Sequence, residues 1–497
     1  MSEPGAVPDG PVRPVAAALA RYAGLAGAVL LTVAGWLGGA LPDTPAVTSL
    51  GDAWRAPHGP AVLGCWLVGT ALLVGAWWSL RWGAPSGRWA YLTAGLWLLP
   101  LLAAPPLGSR DVYSYACQGW SWTHGTDPYR VGVVAAGCPW AESVSPIWRD
   151  TPAPYGPFFV LLAGLAVLLG GGLVGAIALL RVVAVAGVLL AALCLPGLAR
   201  AAGVPTRRAA WLALACPLVG VHLVAGAHND AVGLGLLLSG LLVLVRRPGR
   251  PRALVVAGVL LGLAVAVKAV AVVVLPFAAL AAVPGGYTWR ALLREGGWLA
   301  GGVLATLVVT SLATGLGLGW VRGLARSGDS EQWTSPPTAV GLVVDYAGAL
   351  AGREPEAVPV VRAVALAGLA VLLVVLWWRA WTALRRLGDA RQRAARVAAA
   401  RPRVALAGAG LALAATVLLA PVFHPWYATW PLALLAVATV AVARTVWFVA
   451  PCAVAAVLTL PDGSNLARFT KAPGAILMTA LVVAVVTVAA VRVRRIR

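Results

Sequence analysis

Short polar clusters in an otherwise apolar chain carry the groups that can do chemistry. Arg110 and Asp111 open the stretch Ser109-Arg110-Asp111-Val112-Tyr113-Ser114-Tyr115-Ala116-Cys117-Gln118. Asp127 and Tyr129 follow in His124-Gly125-Thr126-Asp127-Pro128-Tyr129, and Tyr155 stands in Thr151-Pro152-Ala153-Pro154-Tyr155-Gly156-Pro157. His228-Asn229-Asp230 and His424-Pro425-Trp426-Tyr427 come later, and two cations, Arg181 and Lys268, sit inside apolar runs. A positioned carboxylate takes a proton from a hydroxyl, and fixed cations stabilise a departing phosphate. Each cluster also has a plain reading. Asp111 complements a helix dipole, the prolines set an extended entry and a helix start, and Arg181 snorkels to the surface. What decides between the readings is whether the clusters share one side of the protein.

The elements that must position them are apolar. Of 497 residues, 60% are hydrophobic and 11% charged, and the mean hydropathy is +0.86. A soluble domain carries about 25% charged residues, so a water-soluble enzyme and a disordered chain are both excluded. The net charge of +21 does not point to nucleic acid, because the basic residues lie between apolar segments rather than on one basic domain.

Spans need roughly 20 apolar residues. Candidates fall at 16–41, 61–80, 89–105, 173–198, 209–227, 231–246, 253–267, 269–283, 295–314, 358–381, 403–422, 426–443, 445–460 and 473–491, about fourteen in all. The first is longer than a signal-peptide core and reads as a retained span. The stretch 156–172 is ambiguous, and the positive-inside rule resolves it. If it does not cross, the clusters Arg81/Arg88, Arg200/Arg207/Arg208, Arg246/Arg247/Arg250/Arg252, Arg290/Arg294, Arg379 to Arg403 and the tail through Arg497 share one side. Most of the 17 Asp+Glu then lie opposite. The sequence therefore predicts a single membrane domain over 1–497 with both termini cytoplasmic. Two large outer loops follow, 106–172 and 315–357.

All the candidate groups map to the outer side or near it, and intramembrane cations such as Lys268 default to function. In the first loop, Val112, Tyr113, Ala116, Cys117 and Trp120 recur at helical spacing while Asp111, Tyr115 and Gln118 face the other way. An amphipathic interfacial helix holding a carboxylate at the water boundary is the expectation. A base and cations at that depth suit a donor with its phosphate at headgroup level and its tail in lipid, a sugar on polyprenyl phosphate. Four of the 6 cysteines lie in apolar runs and pack as small hydrophobes. Cys117 and Cys138 share the polar first loop, and their pairing stays open.

Asp111-Val112-Tyr113-Ser114-Tyr115, Gly125-Thr126-Asp127-Pro128-Tyr129, Pro154-Tyr155-Gly156-Pro157, His228-Asn229-Asp230 and His424-Pro425-Trp426-Tyr427 together resemble the motifs of a known group. It is that of the polytopic, lipid-phosphate-sugar-dependent glycosyltransferases of the GT-C type. Within it the chain is similar to the polyprenol-phosphomannose-dependent α-1,6-mannosyltransferases that build lipomannan in actinobacterial envelopes. The resemblance covers nearly the whole chain. It implies an all-α polytopic membrane protein, with Asp111 as general base of an inverting transfer from polyprenyl-phosphate mannose to an α-1,6-mannan or glycolipid acceptor. On that reading Arg110, Arg181, Lys268 and His228 hold the phosphate. Tyr115, Gln118, Asn229 and Asp230 orient sugar hydroxyls, and Asp127, Tyr129, Tyr155, His424 and Tyr427 complete the substrate-binding set. No cofactor is expected, and no metal, since the first loop lacks the adjacent acid pair of some relatives. Asp127 and Asp230 remain alternative bases. Trp333 in the second loop stacks on an acceptor sugar or, as favoured here, packs at the interface. The rivals are a transferase of arabinose or glucose from its own polyprenyl phosphate, a lipid-linked glycan flippase or transporter, and a non-catalytic assembly subunit.

Overall fold

The runs of Ala, Leu and Val become helices wherever a start signal precedes them. Ser86 accepts a hydrogen bond from Trp89 N (3.1 Å) to open one helix, and Thr288 does the same for Ala291 N (3.2 Å) in another. Proline opens others, such as Pro157 and Pro251, where its missing N–H is no loss. The computed structural model describes residues 14–42, 44, 46–326, 330–387 and 393–496. Parts of the second outer loop (327–329) and of the Arg379 to Arg403 cluster (388–392), and Arg497 of the basic tail, lie outside the described residues. Among the described residues the elements are all helical, apart from one bridge between Thr459 and Asn465.

The first quarter holds α1 (Pro14–Gly38), α2 (Leu50–Arg55), α3 (Gly59–Ser79), α4 (Gly87–Leu102) and α5 (Asp111–Thr123). Next come α6 (Pro157–Gly170), α7 (Leu173–Ala202), α8 (Thr206–Leu214) with a π-helical turn (Val219–Ala225), α9 (Asp230–Arg246) and α10 (Pro251–Val267). A 3-10 turn (Ala269–Val274) leads to α11 (Leu275–Ala282), α12 (Trp289–Thr314), α13 (Gly319–Arg326) and α14 (Pro336–Leu350). The chain ends with α15 (Ala357–Arg386), α16 (Arg393–Leu419), α17 (Thr429–Ala438), α18 (Val446–Ala455), α19 (Leu466–Phe469) and α20 (Lys471–Ile496). The second outer loop, 315–357, thus contains α13 and α14.

Seven of the described helices are long and apolar enough to cross a membrane, or eight if α8 and the π-helical turn, bent by 62°, count as one. This corrects the expectation of about fourteen full spans. The remaining apolar segments are helical but short; α10, with 17 residues, rises only about 26 Å. Hydropathy registers apolar content and is blind to breaks in the backbone. At Lys268 the chain turns extended (φ −148, ψ 120) between α10 and the 3-10 turn, so one long apolar run becomes two short pieces. The segment 156–172 forms α6, 14 residues long, and doubles back through Gly171-Gly172 into α7. Its tip exposes Leu165, Leu168, Leu169 and Val174.

The crossing elements shuttle between two chemically different ends. Helix α9 begins at Asp230 and finishes at Arg246. The basic end is stitched by arginines bonded to helix-terminal carbonyls. Arg208 Nη2 donates to Thr439 O (2.5 Å) and Val440 O (3.1 Å), Arg403 Nε to Ala202 O (2.9 Å), and Arg401 Nη1 to Pro284 O (3.0 Å). Helix α17 is buried at every residue and forms the middle of the bundle. By contrast α15 and α20 bury only 6% and 11% of their most apolar windows. Such apolar surface is stable only against lipid, and the chain is a multi-pass membrane protein.

Candidate active site

At the end opposite the arginine stitches, α5 starts with Asp111, whose backbone N–H donates to Ser109 Oγ (3.1 Å). Just ahead, Gly108 takes a positive φ of 68°, and a Cβ there would come within 2.9 Å of His222 Cε1. Only glycine lets the chain pass so close to the π-helical turn. The helix itself differs from a surface amphipathic one: Asp111 through Gly119 are all buried, so protein covers both faces. Tyr113 Oη donates to Ala40 O (2.5 Å). Gly119 lies so near the α6 backbone that a Cβ would meet Ala163 C at 2.5 Å. A disulfide joins Cys117 to Cys138 across 21 residues of the first loop, settling the pairing that the sequence left open.

Around Asp111 the motifs converge. Its Oδ2 is 3.7 Å from His228 Nδ1, and that nitrogen is 3.3 Å from Tyr115 Oη. Tyr115 Oη also donates to Asn229 Oδ1 (3.4 Å) and meets the Tyr155 ring edge-on at 5.1 Å between centroids. His228 lies on Trp426 at 4.0 Å, and His424 stacks on the same indole at 4.7 Å and 4°. Asp230 is fully enclosed and both its oxygens are bound. Oδ2 accepts from Lys268 Nζ (2.6 Å) and Oδ1 from Trp430 Nε1 (2.7 Å). The Lys268 ammonium also sits 4.5 Å from the Tyr427 ring centroid, a cation–π contact.

Burial raises the Asp111 carboxyl to about 6; the positive charge of Lys268 and the Ser109 hydrogen bond oppose that rise, and the Asp230 charge adds to it. Burial and the neighbouring His222, Lys268 and His424 push His228 well below its ordinary range. His424 falls to about 3, through burial and then Lys268. Both imidazoles are therefore neutral at physiological pH. The cluster combines a carboxylate of raised basicity, neutral aromatic walls and a lysine locked to a second acid.

Asp111, Trp148 and His424 are shared walls of two adjacent cavities. The first is completed by Ser114, Gln118, Thr151, Pro152, Pro154, Tyr155, Gly323 and Tyr427. The second runs along Ser109, Ser145, Gln332, Trp426, Thr459, Ser464, Asn465 and Arg468. Several buried polar atoms have no partner: Ser114 Oγ, Gln118 Oε1, His228 Nε2, Asn229 Nδ2 and Thr459 Oγ1. Buried polar groups are almost always bonded, so these mark room for a polar ligand.

The structure thus brings together Asp111, Tyr115, Gln118, Tyr155, His228, Asn229, Asp230, Lys268, His424 and Tyr427. Four other sequence candidates are bound into the scaffold, Arg110 on the wall of the second cavity and the other three away from both. Arg110 donates to Asp462 O (3.1 Å), Leu41 O (3.2 Å), Ser143 O (3.3 Å) and Thr44 O (2.6 Å), which pins loops together. Arg181 donates to Leu102 O (3.2 Å), Ala104 O (2.6 Å) and Ala225 O (2.8 Å), binding the ends of α4 and the π-helical turn. Asp127 accepts from Tyr129 N (2.8 Å) and pairs with Arg130 (3.3 Å), and Tyr129 packs beside Gly319. Trp333 packs rather than lining the site, with Nε1 bonded to Thr470 Oγ1 (3.1 Å). Sequence reasoning missed Ser114, Trp148, Trp430 and the segment from Thr459 to Arg468. The last was detectable as a polar island, Pro461-Asp462-Gly463-Ser464-Asn465, between two apolar runs. Among the described residues no group of three or more His, Cys, Asp or Glu gathers to hold a metal ion.

Comparison with known proteins agrees with the resemblance read from the motifs. Residues 21–284 match the family model "Alpha-(1->6)-mannopyranosyltransferase, N-terminal domain", and residues 337–489 match "MptB C-terminal domain". Alpha-(1->6)-mannopyranosyltransferase A of Mycobacterium tuberculosis is 33% identical over 437 residues, 83% of this chain and 79% of that protein. Alpha-(1->6)-mannopyranosyltransferase Rv1459c of the same organism is 34% identical over 387 residues, 67% of this chain and 63% of its own length. The match therefore spans less than two thirds of that relative. Alpha-(1->6)-mannopyranosyltransferase B of Corynebacterium glutamicum is 29% identical over 363 residues, covering 69% and 58%. No solved structure matches the chain. With the family model covering more than half of its length and its site motifs gathered around one acid, the chain belongs to the α-(1→6)-mannopyranosyltransferase family.

Proposed function

We propose that the protein is an α-1,6-mannosyltransferase of the membrane that uses polyprenyl-phosphate mannose and extends an α-1,6-mannan or glycolipid acceptor. The site works at the extracytoplasmic face, with both termini cytoplasmic in the plasma membrane. The observation that carries the reading is the position of Asp111, a carboxylate on the wall between two cavities. Asp127 and Asp230 are engaged by neighbours through both oxygens, which supports Asp111 over either as the base.

In the reaction the acceptor 6-hydroxyl gives its proton to Asp111 as its oxygen bonds to the anomeric carbon of the donor. The bond from that carbon to the phosphate oxygen breaks, and the electron pair leaves on polyprenyl phosphate. Displacement in one step inverts the β-linked donor to an α-mannoside. A base whose pKa is lifted toward the working pH is better matched to this task than an ordinary aspartate. The basic end of the bundle supports the sidedness, because arginines collect on cytoplasmic loops.

The test is transfer from labelled donor lipid in membranes holding wild type or Asp111→Asn. Loss of a general base costs about 10²–10⁴-fold, and full activity in the variant overturns the assignment. Polyprenyl-phosphate arabinose and glucose, run beside the mannose lipid, decide the sugar. Movement of lipid-linked glycan in reconstituted vesicles without a glycosidic product overturns the enzyme reading in favour of a transporter.

A further inference from the structure

The two cavities that meet at Asp111 differ in chemistry. One is walled by tyrosines, tryptophan and hydroxyls, with Lys268 held behind Tyr427 by Asp230. That set suits an uncharged sugar. The other carries an arginine at its rim. Arg468 is exposed, and among the described residues no hydrogen bond or ion pair engages its guanidinium. Its companion Thr459 is 2% exposed, lines the same cavity, and its hydroxyl has no partner. Asn465 Nδ2 donates to Gln332 Oε1 (3.1 Å), fixing two amides on the same wall. The other arginine there, Arg110, already donates to backbone carbonyls. The nearby carboxylate of Asp462 is turned to Val47 N (3.0 Å) and Ser464 Oγ (2.7 Å).

Depth adds a second argument. Arg468 lies three residues before Lys471, where the strongly apolar and exposed α20 begins. An arginine at the mouth of a membrane-crossing helix sits at headgroup level. A phosphate esterified to a long lipid tail lies at that same level.

We infer that the cavity of Thr459, Asn465 and Arg468 is the seat of the prenyl-linked phosphate, with the free guanidinium of Arg468 pairing the anion and Thr459 Oγ donating to it. The Tyr155–Tyr427 cavity is then left for the acceptor sugar. The assignment rests on the transferase reading above and deepens it, by placing donor and acceptor on opposite sides of Asp111. Charge-assisted contacts to phosphate are the strong ones, and the guanidinium fork suits them better than an ammonium does.

The test measures binding to the full-length protein in lipid nanodiscs with three probes: polyprenyl phosphate, the neutral polyprenol of equal length, and inorganic phosphate. Arg468→Gln weakens polyprenyl phosphate by about tenfold or more and leaves polyprenol unchanged. Arg468→Lys recovers part of the loss. Wild-type affinity for polyprenyl phosphate in Arg468→Gln overturns the inference, as does an equal loss for both lipids. Inorganic phosphate bound as tightly as the lipid, with the same Arg468 dependence, overturns the lipid source. Asp111→Asn separates the two claims. If it binds polyprenyl phosphate normally but transfers nothing, both hold. If it still transfers while Arg468→Gln fails to bind, the base assignment falls and the phosphate seat stands.

Discussion

A base that is buried should be a stability defect, and Asp111 offers a quantitative case. Its carboxyl rises from 3.8 to about 6 on folding, so the folded protein prefers it protonated. Each pKa unit corresponds to about 1.36 kcal/mol, which makes the ionised form cost about 3 kcal/mol above pH 6. The sign follows from linkage. For an acid with a raised pKa, the folded state is favoured at low pH and the advantage disappears as pH climbs through the folded value. Asparagine stands in for the protonated carboxyl at every pH.

Asp111→Asn should therefore be more stable than wild type at pH 8, by up to about 3 kcal/mol. The gain should shrink as pH drops below 6 and be nearly gone at pH 4. Thermal unfolding of both proteins in the same detergent, followed by tryptophan emission at pH 8, 6 and 4.5, reads the difference. On the proposed mechanism the same variant should lose transfer, so stability and activity should move in opposite directions, as expected where a site carries a strained or desolvated group. A variant less stable than wild type at pH 8, or a gain that ignores pH, would refute the argument that burial dominates at this carboxyl.

Transfer by the wild type should fall about tenfold per pH unit below an inflection near 6; a profile flat from pH 7 to 5 removes Asp111 from the proton path. Lys268→Met should destabilise strongly, by about 3–5 kcal/mol, because it strands a buried Asp230. Pairing it with Asp230→Asn should restore much of the loss in thermal unfolding. In that double variant the inflection should move above 6, since Lys268 lowers the Asp111 pKa more than Asp230 raises it. Arg181→Gln should lower the melting temperature while leaving the apparent KM for donor lipid unchanged, because its guanidinium binds helix-end carbonyls; a raised KM would return Arg181 to the phosphate.

Much of the helical architecture was readable because the forces that set it are local and additive. Apolar run length marks helices such as α1, α7 and α15, and the positions of arginines and acids assign their ends. What escaped reading was where helices break. Lys268 sits in an uninterrupted apolar run, yet its backbone is extended and its side chain turns to Asp230, 38 residues away in sequence. No window average contains that bond. The same holds for α5, whose alternating faces suggest an interface, whereas a disulfide and the close-packed backbone of α6 enclose it.

The site shows the same division between kinds of residue and their use. Residue type pointed to Asp111, His228 and His424, since buried ionisable and aromatic groups at span ends are costly unless they act or bond. Type could not separate the arginines. Arg110, Arg181 and Arg468 look alike in sequence, yet two of them are consumed by carbonyl oxygens and one is not. Carbonyls at helix ends are abundant in a bundle of short, broken helices, and each one demands a donor. Arg181 is drawn into the scaffold by such ends and Arg110 by loop carbonyls, while the guanidinium of Arg468, on the short α19, meets no such acceptor among the described residues. Broken helices therefore do double work here: their bends gather the acid and histidines at one end, and the carbonyls bared at their ends and in the loops that join them decide which guanidinium stays unbound.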